Sequence, residues 1–123
     1  TSELRHIQLI APTSPPHRIE QIAAAAEGFV YYVSREGVTG TRTDVATGVA
    51  GQVEMIKSST QVPVCVGFGI SEPAQAAATA KMADGVVVGS VIVKLMERHG
   101  ADADLALRVG EFVKPLVDAV KAV

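Results

Sequence analysis

Two stretches of the chain have residue types and spacing that could bind an anion. Residues 62–71 read VPVCVGFGIS and residues 85–90 read GVVVGS, so each apolar run ends in glycine and serine. Such runs are typical of buried parallel strands, and a helical pattern follows each one. Glycine lets a ligand approach the backbone, and a helix start offers free amide N–H groups. Together the two stretches predict a phosphate cradle; the alternative is that the glycines only serve tight turns.

The composition limits the classes of protein to consider. The 123 residues are 48% hydrophobic but only 4% aromatic, which predicts one domain with an aliphatic core. A net charge of −2 gives no reason to expect nucleic acid or an anionic membrane as a partner. The apolar runs are too short to span a bilayer. The single cysteine, Cys65, excludes an internal disulfide and fits a reducing, cytoplasmic location. We expect it to be a small buried hydrophobe.

The hydrophobic pattern predicts alternating strands and helices. The predicted strands are residues 6–11, 29–33, 62–66 and 85–88. Ser14, Ser71 and Asp102 are the expected N-caps of three helices, and Gly28 is the expected end of the first. Residues 34–47 form a long loop without periodicity, which is typically functional or mobile. Pro115 should kink or break the last helix.

This order of elements, β-α-β-α-β-α-β-α-α, predicts an α/β fold with a parallel sheet and right-handed crossovers. Four strands cannot close a barrel. The chain is therefore either a small open sheet or about half of an eight-stranded (β/α)8 barrel of about 250 residues. Because it begins at Thr1 and soon reaches a predicted strand, we expect it to be part of a longer chain.

Three motifs resemble those of one family. They are YYVSREGVTG at residues 31–40, VGFGIS at residues 66–71 and GVVVGSVIVK at residues 85–94. In this order they closely resemble the carboxyl-terminal half of the tryptophan synthase alpha subunit. The resemblance implies a TIM-type (β/α)8 barrel, with residues 1–123 forming one unit that carries strands five to eight. It also implies the retro-aldol cleavage of indole-3-glycerol phosphate to indole and glyceraldehyde 3-phosphate, in tryptophan biosynthesis.

The resemblance further implies which residues bind the substrate. Its phosphate-binding positions match Gly40, Gly67, Gly69, Gly89 and Ser90. The positions that contact the rest of the substrate match four further residues, namely Tyr31, Arg35, Thr39 and Phe68.

The residues for acid–base chemistry are not evident in this chain. Retro-aldol cleavage at an indole carbon needs a proton donor and a base, commonly two carboxylates. Of the thirteen acidic residues, only Glu36 and Asp44 fall on the loop at the expected active face. The resemblance places the family's catalytic glutamate and aspartate outside this chain, so we expect no catalytic residue here. The three histidines lack metal-ligand spacing, so we expect no metal site either.

The resemblance also implies the partners. The family's alpha subunit needs no cofactor and works in a heterotetramer with a beta subunit that carries pyridoxal phosphate. Two alternatives stay open. One is another phosphate-binding TIM-barrel enzyme, and the other is a non-catalytic half-barrel that associates with itself to cover its open edges.

Overall fold

The computed structural model describes residues 3–34 and 42–123, with only the backbone described for residues 42–47. Its four strands form one parallel sheet in the order β1-β2-β3-β4. The strands are β1 (Gln8–Ile10), β2 (Val30–Val33), β3 (Val64–Gly67) and β4 (Gly85–Val87). The helices are α1 (Pro16–Ala24), α2 (Arg42–Ser58), α3 (Pro73–Ala80), α4 (Ser90–His99) and α5 (Leu105–Lys121). The predicted order of elements is confirmed.

The two faces of the sheet differ in what covers them. On one face the side chains of Ile10, Val30, Tyr32, Val64 and Val66 are fully buried. They pack against apolar residues of α1 and α2, such as Ile19, Val53 and Ile56, in one continuous core. A second core joins Ala76 of α3 and Leu116 of α5, with Val86 of β4 packed against it. The helices therefore cover this face.

Residues on the opposite face are less covered, because side chains alternate along a strand. Leu9 is 62% exposed, and Tyr31, Cys65 and Val87 are only half-buried. Cys65 is therefore less buried than predicted. In an eight-stranded barrel this face points to the interior, where side chains from all strands fill the space. Four strands leave it partly open.

Two predicted helix starts are wrong by one residue, for a shared reason. The N-cap of α1 is Pro15 and that of α3 is Glu72, in place of Ser14 and Ser71. Both caps immediately precede a proline and are extended, with ψ near 150°. The proline ring excludes the α region for the residue before it, so the helix begins at the proline.

The last two helices also depart from the predictions. The N-cap of α5 is Asp104 and not Asp102, whose carboxylate lies 3.1 Å from Nδ1 of His99. Pro115 does not break α5, which runs from Leu105 to Lys121. Pro115 is exposed, so water can satisfy the carbonyl group that loses its helical partner.

Two further predictions, the end of α1 and the start of α2, also differ from the structure. α1 ends at Ala24, with Ala25 as its C-cap, so Gly28 is not its terminal residue. Gly28 has φ +74°, a left-handed conformation that glycine adopts without strain, and it turns the chain into β2. α2 begins at Arg42, so the loop predicted over residues 34–47 ends earlier. Among the helices of the described ranges, none is long and apolar enough to cross a membrane.

Candidate functional site

A cavity of about 240 Å³ lies at the carboxyl ends of β2, β3 and β4. The carboxyl ends of parallel strands meet at one edge of the sheet, which is where ligands bind in open α/β sheets and in barrels. Among the residues that the structure describes, ten line the cavity: Tyr31, Val33, Ser34, Gly67, Phe68, Gly69, Ile70, Val87, Gly89 and Ser90.

The cavity brings together six of the residues predicted from the sequence. They are Tyr31, Gly67, Phe68, Gly69, Gly89 and Ser90. The other three predicted site residues, Arg35, Thr39 and Gly40, lie outside the described residues. Two glycine-containing strand ends that are distant in sequence thus meet in one space. The reason is that β3 and β4 are neighbours in the sheet.

Gly67 is required by the packing of Tyr31. Tyr31 lies on β2, and its ring covers the Cα atom of Gly67 on the adjacent strand. A Cβ atom added at Gly67 would lie 2.5 Å from Oη of Tyr31 and 3.0 Å from its Cζ. These separations are shorter than a van der Waals contact. No other residue fits at position 67 unless Tyr31 or the strand moves.

Gly69 and Gly89 are different, because packing does not explain them. A Cβ atom at either position would meet no atom within 4 Å among the described residues. Their bare backbone nevertheless borders the cavity. A missing side chain that the fold does not need leaves room for a ligand to approach the backbone closely.

The amino terminus of α4 adds amide donors at the same place. Gly89 is the N-cap of α4, and as a glycine it has no side chain that could accept from the first amides of the helix. Its carbonyl accepts from the amides of Ile92 and Val93, at 2.9 and 3.1 Å. The amides before these have no acceptor within the helix, and the positive end of the helix dipole lies there. Such a terminus suits an anion.

The amino terminus of α3 lacks this openness. The side-chain oxygen of Gln75 accepts hydrogen bonds from the amides of Ser71, at 2.9 Å, and Glu72, at 3.2 Å. Two of its donors are therefore already used inside the chain. Of the two helix starts that follow β3 and β4, α4 has the freer one.

Ser34 is a lining residue that the sequence did not single out. It follows β2 directly, and its amide donates to the carbonyl of Gly67, at 3.2 Å. The residue is only 5% exposed, and its hydroxyl oxygen is buried without a hydrogen-bond partner in the described part of the chain. One signal could have identified it, namely a polar residue directly after the apolar run of β2. Val33, Ile70 and Val87 were also missed, because apolar strand residues carry no distinguishing pattern.

None of the ten described residues that line the cavity has a charged side chain. Asp84 lies at the opposite, amino-terminal edge of the sheet, as its position before β4 predicts. Its carboxylate accepts from the amide of Val64, at 3.0 Å, and from Lys57, at 2.9 Å. These bonds, the backbone one first, lower the pKa of Asp84. Asp84 thus connects the start of β3 with α2 and is not part of the cavity.

Cys65 is not an activated nucleophile. Burial, and secondly the negative charge of Asp84, raise the pKa of its thiol. The thiol stays protonated at neutral pH, and the thiolate is the reactive form. Over the described ranges there is also no group of three histidine, cysteine or acidic residues that could hold a metal ion. The arrangement suits anion binding by backbone amides beside an apolar and aromatic wall.

The parallel sheet, its helices and the cavity at the carboxyl ends of its strands are those of the (β/α)8 barrel class, of which four strands make about half. A family model described as "Tryptophan synthase alpha chain" matches residues 1–121. The chain belongs to this family.

Individual relatives agree with this assignment. The chain is 54% identical over 114 residues to the tryptophan synthase alpha chain of Geobacter sulfurreducens, covering 93% of this chain and 43% of that protein. A crystal structure of the alpha chain from Legionella pneumophila superposes with a TM-score of 0.78 at 29% identity, over 98% of this chain and 44% of the other. A tryptophan synthase structure from M. tuberculosis superposes with a TM-score of 0.75 at 32% identity, over 95% and 41%. The chain therefore spans less than half the length of the relatives it matches.

Proposed function

We propose that this chain supplies the phosphate- and indole-binding half of a tryptophan synthase alpha subunit. In this proposal residues 1–123 are one unit, the carboxyl-terminal half of the barrel, with β1 to β4 as strands five to eight. The observation that carries the proposal is the single cavity that unites Tyr31 and Phe68 with the glycines at the ends of β3 and β4. Membership of the family supports the choice of ligand.

The proposed substrate is indole-3-glycerol phosphate, which the complete enzyme, a lyase, cleaves to indole and glyceraldehyde 3-phosphate. The phosphate would accept hydrogen bonds from amides around Gly69, Gly89 and Ser90, at the positive end of α4. The apolar wall with Phe68 would contact the indole ring, because aromatic rings bury a large apolar area. The proposal includes Arg35, Thr39 and Gly40 as further binding residues on the following loop.

The chemical step needs groups that this half does not place in the cavity. Cleaving the carbon–carbon bond requires protonation of the indole carbon and removal of a hydroxyl proton. In the described part of the chain, no carboxylate lines the cavity. We propose that the family's glutamate and aspartate belong to the other half. The chain alone would then bind substrate without releasing indole.

The proposed setting follows the family. The complete alpha subunit would need no cofactor itself and would dock onto a beta subunit that carries pyridoxal phosphate, in a cytoplasmic heterotetramer. Whether this half alone contacts the beta subunit is a separate question, which pull-down with the purified beta subunit answers.

A matched pair of glycine variants tests the binding site. Gly69 and Gly110 both have open space where a Cβ atom would lie, so alanine disturbs the packing at neither position. Only Gly69 borders the cavity. We expect Gly69→Ala to weaken binding of indole-3-glycerol phosphate in calorimetric titration, and Gly110→Ala to leave it unchanged. Equal affinities for both variants and the parent chain would refute the site.

One observation favours a second candidate function, self-association. The sheet face opposite the helices is partly open, with Leu9 62% exposed. An open apolar face and unpaired sheet edges favour association. In this alternative a second copy covers the face, and the chain is a non-catalytic half-barrel. Light scattering during size-exclusion chromatography separates a monomer from a dimer. The other alternative, a different phosphate-binding barrel enzyme, is excluded by membership of the family.

A further inference from the structure

The hydroxyl group of Ser34 is a buried polar group for which the described residues provide no hydrogen-bond partner. Ser34 is 5% exposed, and its oxygen has no hydrogen-bond partner among the described residues. Buried polar groups in folded proteins are nearly always paired, because leaving one unpaired costs stability. An exception of this kind calls for a physical reason.

The position of Ser34 offers one. The residue lines the cavity together with Tyr31, Phe68 and Gly69, at the carboxyl end of β2. Its backbone is held in place, because its amide donates to the carbonyl of Gly67, at 3.2 Å. Its hydroxyl, in contrast, can change direction by rotation of the short side chain. The backbone of Ser34 is thus held at the cavity, while its hydroxyl has no hydrogen-bond partner among the described residues.

We propose that the Ser34 hydroxyl donates a hydrogen bond to a phosphate oxygen of the bound ligand. This inference rests on the proposed function and adds a side-chain donor from β2 to the amides at the ends of β3 and β4. In this proposal the Ser34 hydroxyl lowers the stability of the ligand-free protein, because its hydrogen bond forms only when the ligand is bound. Such a donor makes stability and affinity respond in opposite directions, as is common for functional residues.

The test compares Ser34→Ala with the parent chain in two measurements. Urea unfolding without ligand reports stability, and titration with inorganic phosphate and with glycerol 3-phosphate reports affinity. We expect the ligand-free variant to unfold at the same or a higher urea concentration. We expect its dissociation constants for both probes to rise about three- to tenfold, the usual effect of losing one hydrogen bond.

Two further variants separate the hydroxyl from other effects. Ser34→Cys keeps the size of the side chain but is a poor donor, so it should weaken binding as alanine does. Thr79→Val is the matched control. Thr79 is 1% exposed, and its hydroxyl donates to the carbonyl of Gln75, at 2.9 Å, away from the cavity. This control should not gain stability and should keep the parent affinity.

The outcomes distinguish the inference from the function on which it rests. If the parent chain binds neither probe, the proposed function fails and this inference fails with it. If the parent binds both probes and Ser34→Ala binds them equally well, the inference alone is overturned. A lower urea midpoint for ligand-free Ser34→Ala also overturns it, because the hydroxyl would then have a partner in the free protein. Weaker binding of glycerol 3-phosphate alone contradicts the assignment to the phosphate.

Discussion

Replacing Gly67 by alanine should destabilise the protein through Tyr31. The added Cβ atom would lie 2.5 Å from Oη, 3.0 Å from Cζ and 3.1 Å from Cε2 of Tyr31. Carbon and oxygen atoms not bonded to each other normally stay more than about 3 Å apart, so the ring or strand β3 must move. Overpacking of this kind typically costs about 1–3 kcal/mol. We expect Gly67→Ala to lower the free energy of unfolding by that amount, measured by urea denaturation with far-ultraviolet circular dichroism.

A double-mutant cycle shows whether Tyr31 is the cause. In a Tyr31→Ala background the atoms that clash are gone, so Gly67→Ala should cost almost nothing, which gives a coupling energy of about 1–3 kcal/mol. Tyr31→Phe should rescue only in part, because it removes the atom at 2.5 Å but keeps those at 3.0 and 3.1 Å. Gly69→Ala is the control and should show no coupling. Additive effects of Gly67→Ala and Tyr31→Ala, within about 0.5 kcal/mol, would show that Tyr31 is not the cause of the destabilisation.

Three further predictions concern other parts of the chain. The pKa of Asp84 is lowered, so its carboxylate should stabilise the fold above the ordinary pKa of 3.8, and this stabilisation should be lost as pH falls through the folded-state pKa. The urea midpoints of the parent and Asp84→Asn should therefore converge at acidic pH. A difference that stays constant with pH would contradict this prediction. Cys65 should react with iodoacetamide more slowly than glutathione does until urea unfolds the chain, because its thiol has a raised pKa; equal rates in the native state would disprove the argument. The purified chain should release no indole from indole-3-glycerol phosphate, because no carboxylate is among the described residues that line the cavity. Release of indole that a substitution in the cavity abolishes would contradict this prediction.

Much of the fold could be predicted from the sequence because it depends on local patterns. The apolar runs of β3 and β4 and the helical periodicity after each gave the order of elements and the parallel sheet. Helix starts were less predictable, since Glu72 caps α3 only because Pro73 follows it. Ser71 has the residue type that is preferred at an N-cap, but the steric effect of Pro73 places the cap at Glu72. Residue preferences for the N-cap do not include this effect.

The candidate site shows the same division. Gly69 and Gly89 were predicted as site residues from their position after strands, and both border the same cavity. Their sequence surroundings do not distinguish them from Gly67, although Gly67 alone accommodates a neighbouring ring. That difference depends on Tyr31 of the adjacent strand, which is far away along the chain.

The elements, their order and the polypeptide segments that end at the cavity could be predicted from local patterns, because hydrophobic periodicity and glycine position are local properties. Three properties became known from the folded structure: which glycine is a packing requirement, that Cys65 is half-buried, and that the hydroxyl of Ser34 is buried without a partner in the described chain. These properties depend on atoms contributed by neighbouring strands. Burial, close contact and hydrogen-bond pairing are relations between distant residues, and folding creates them.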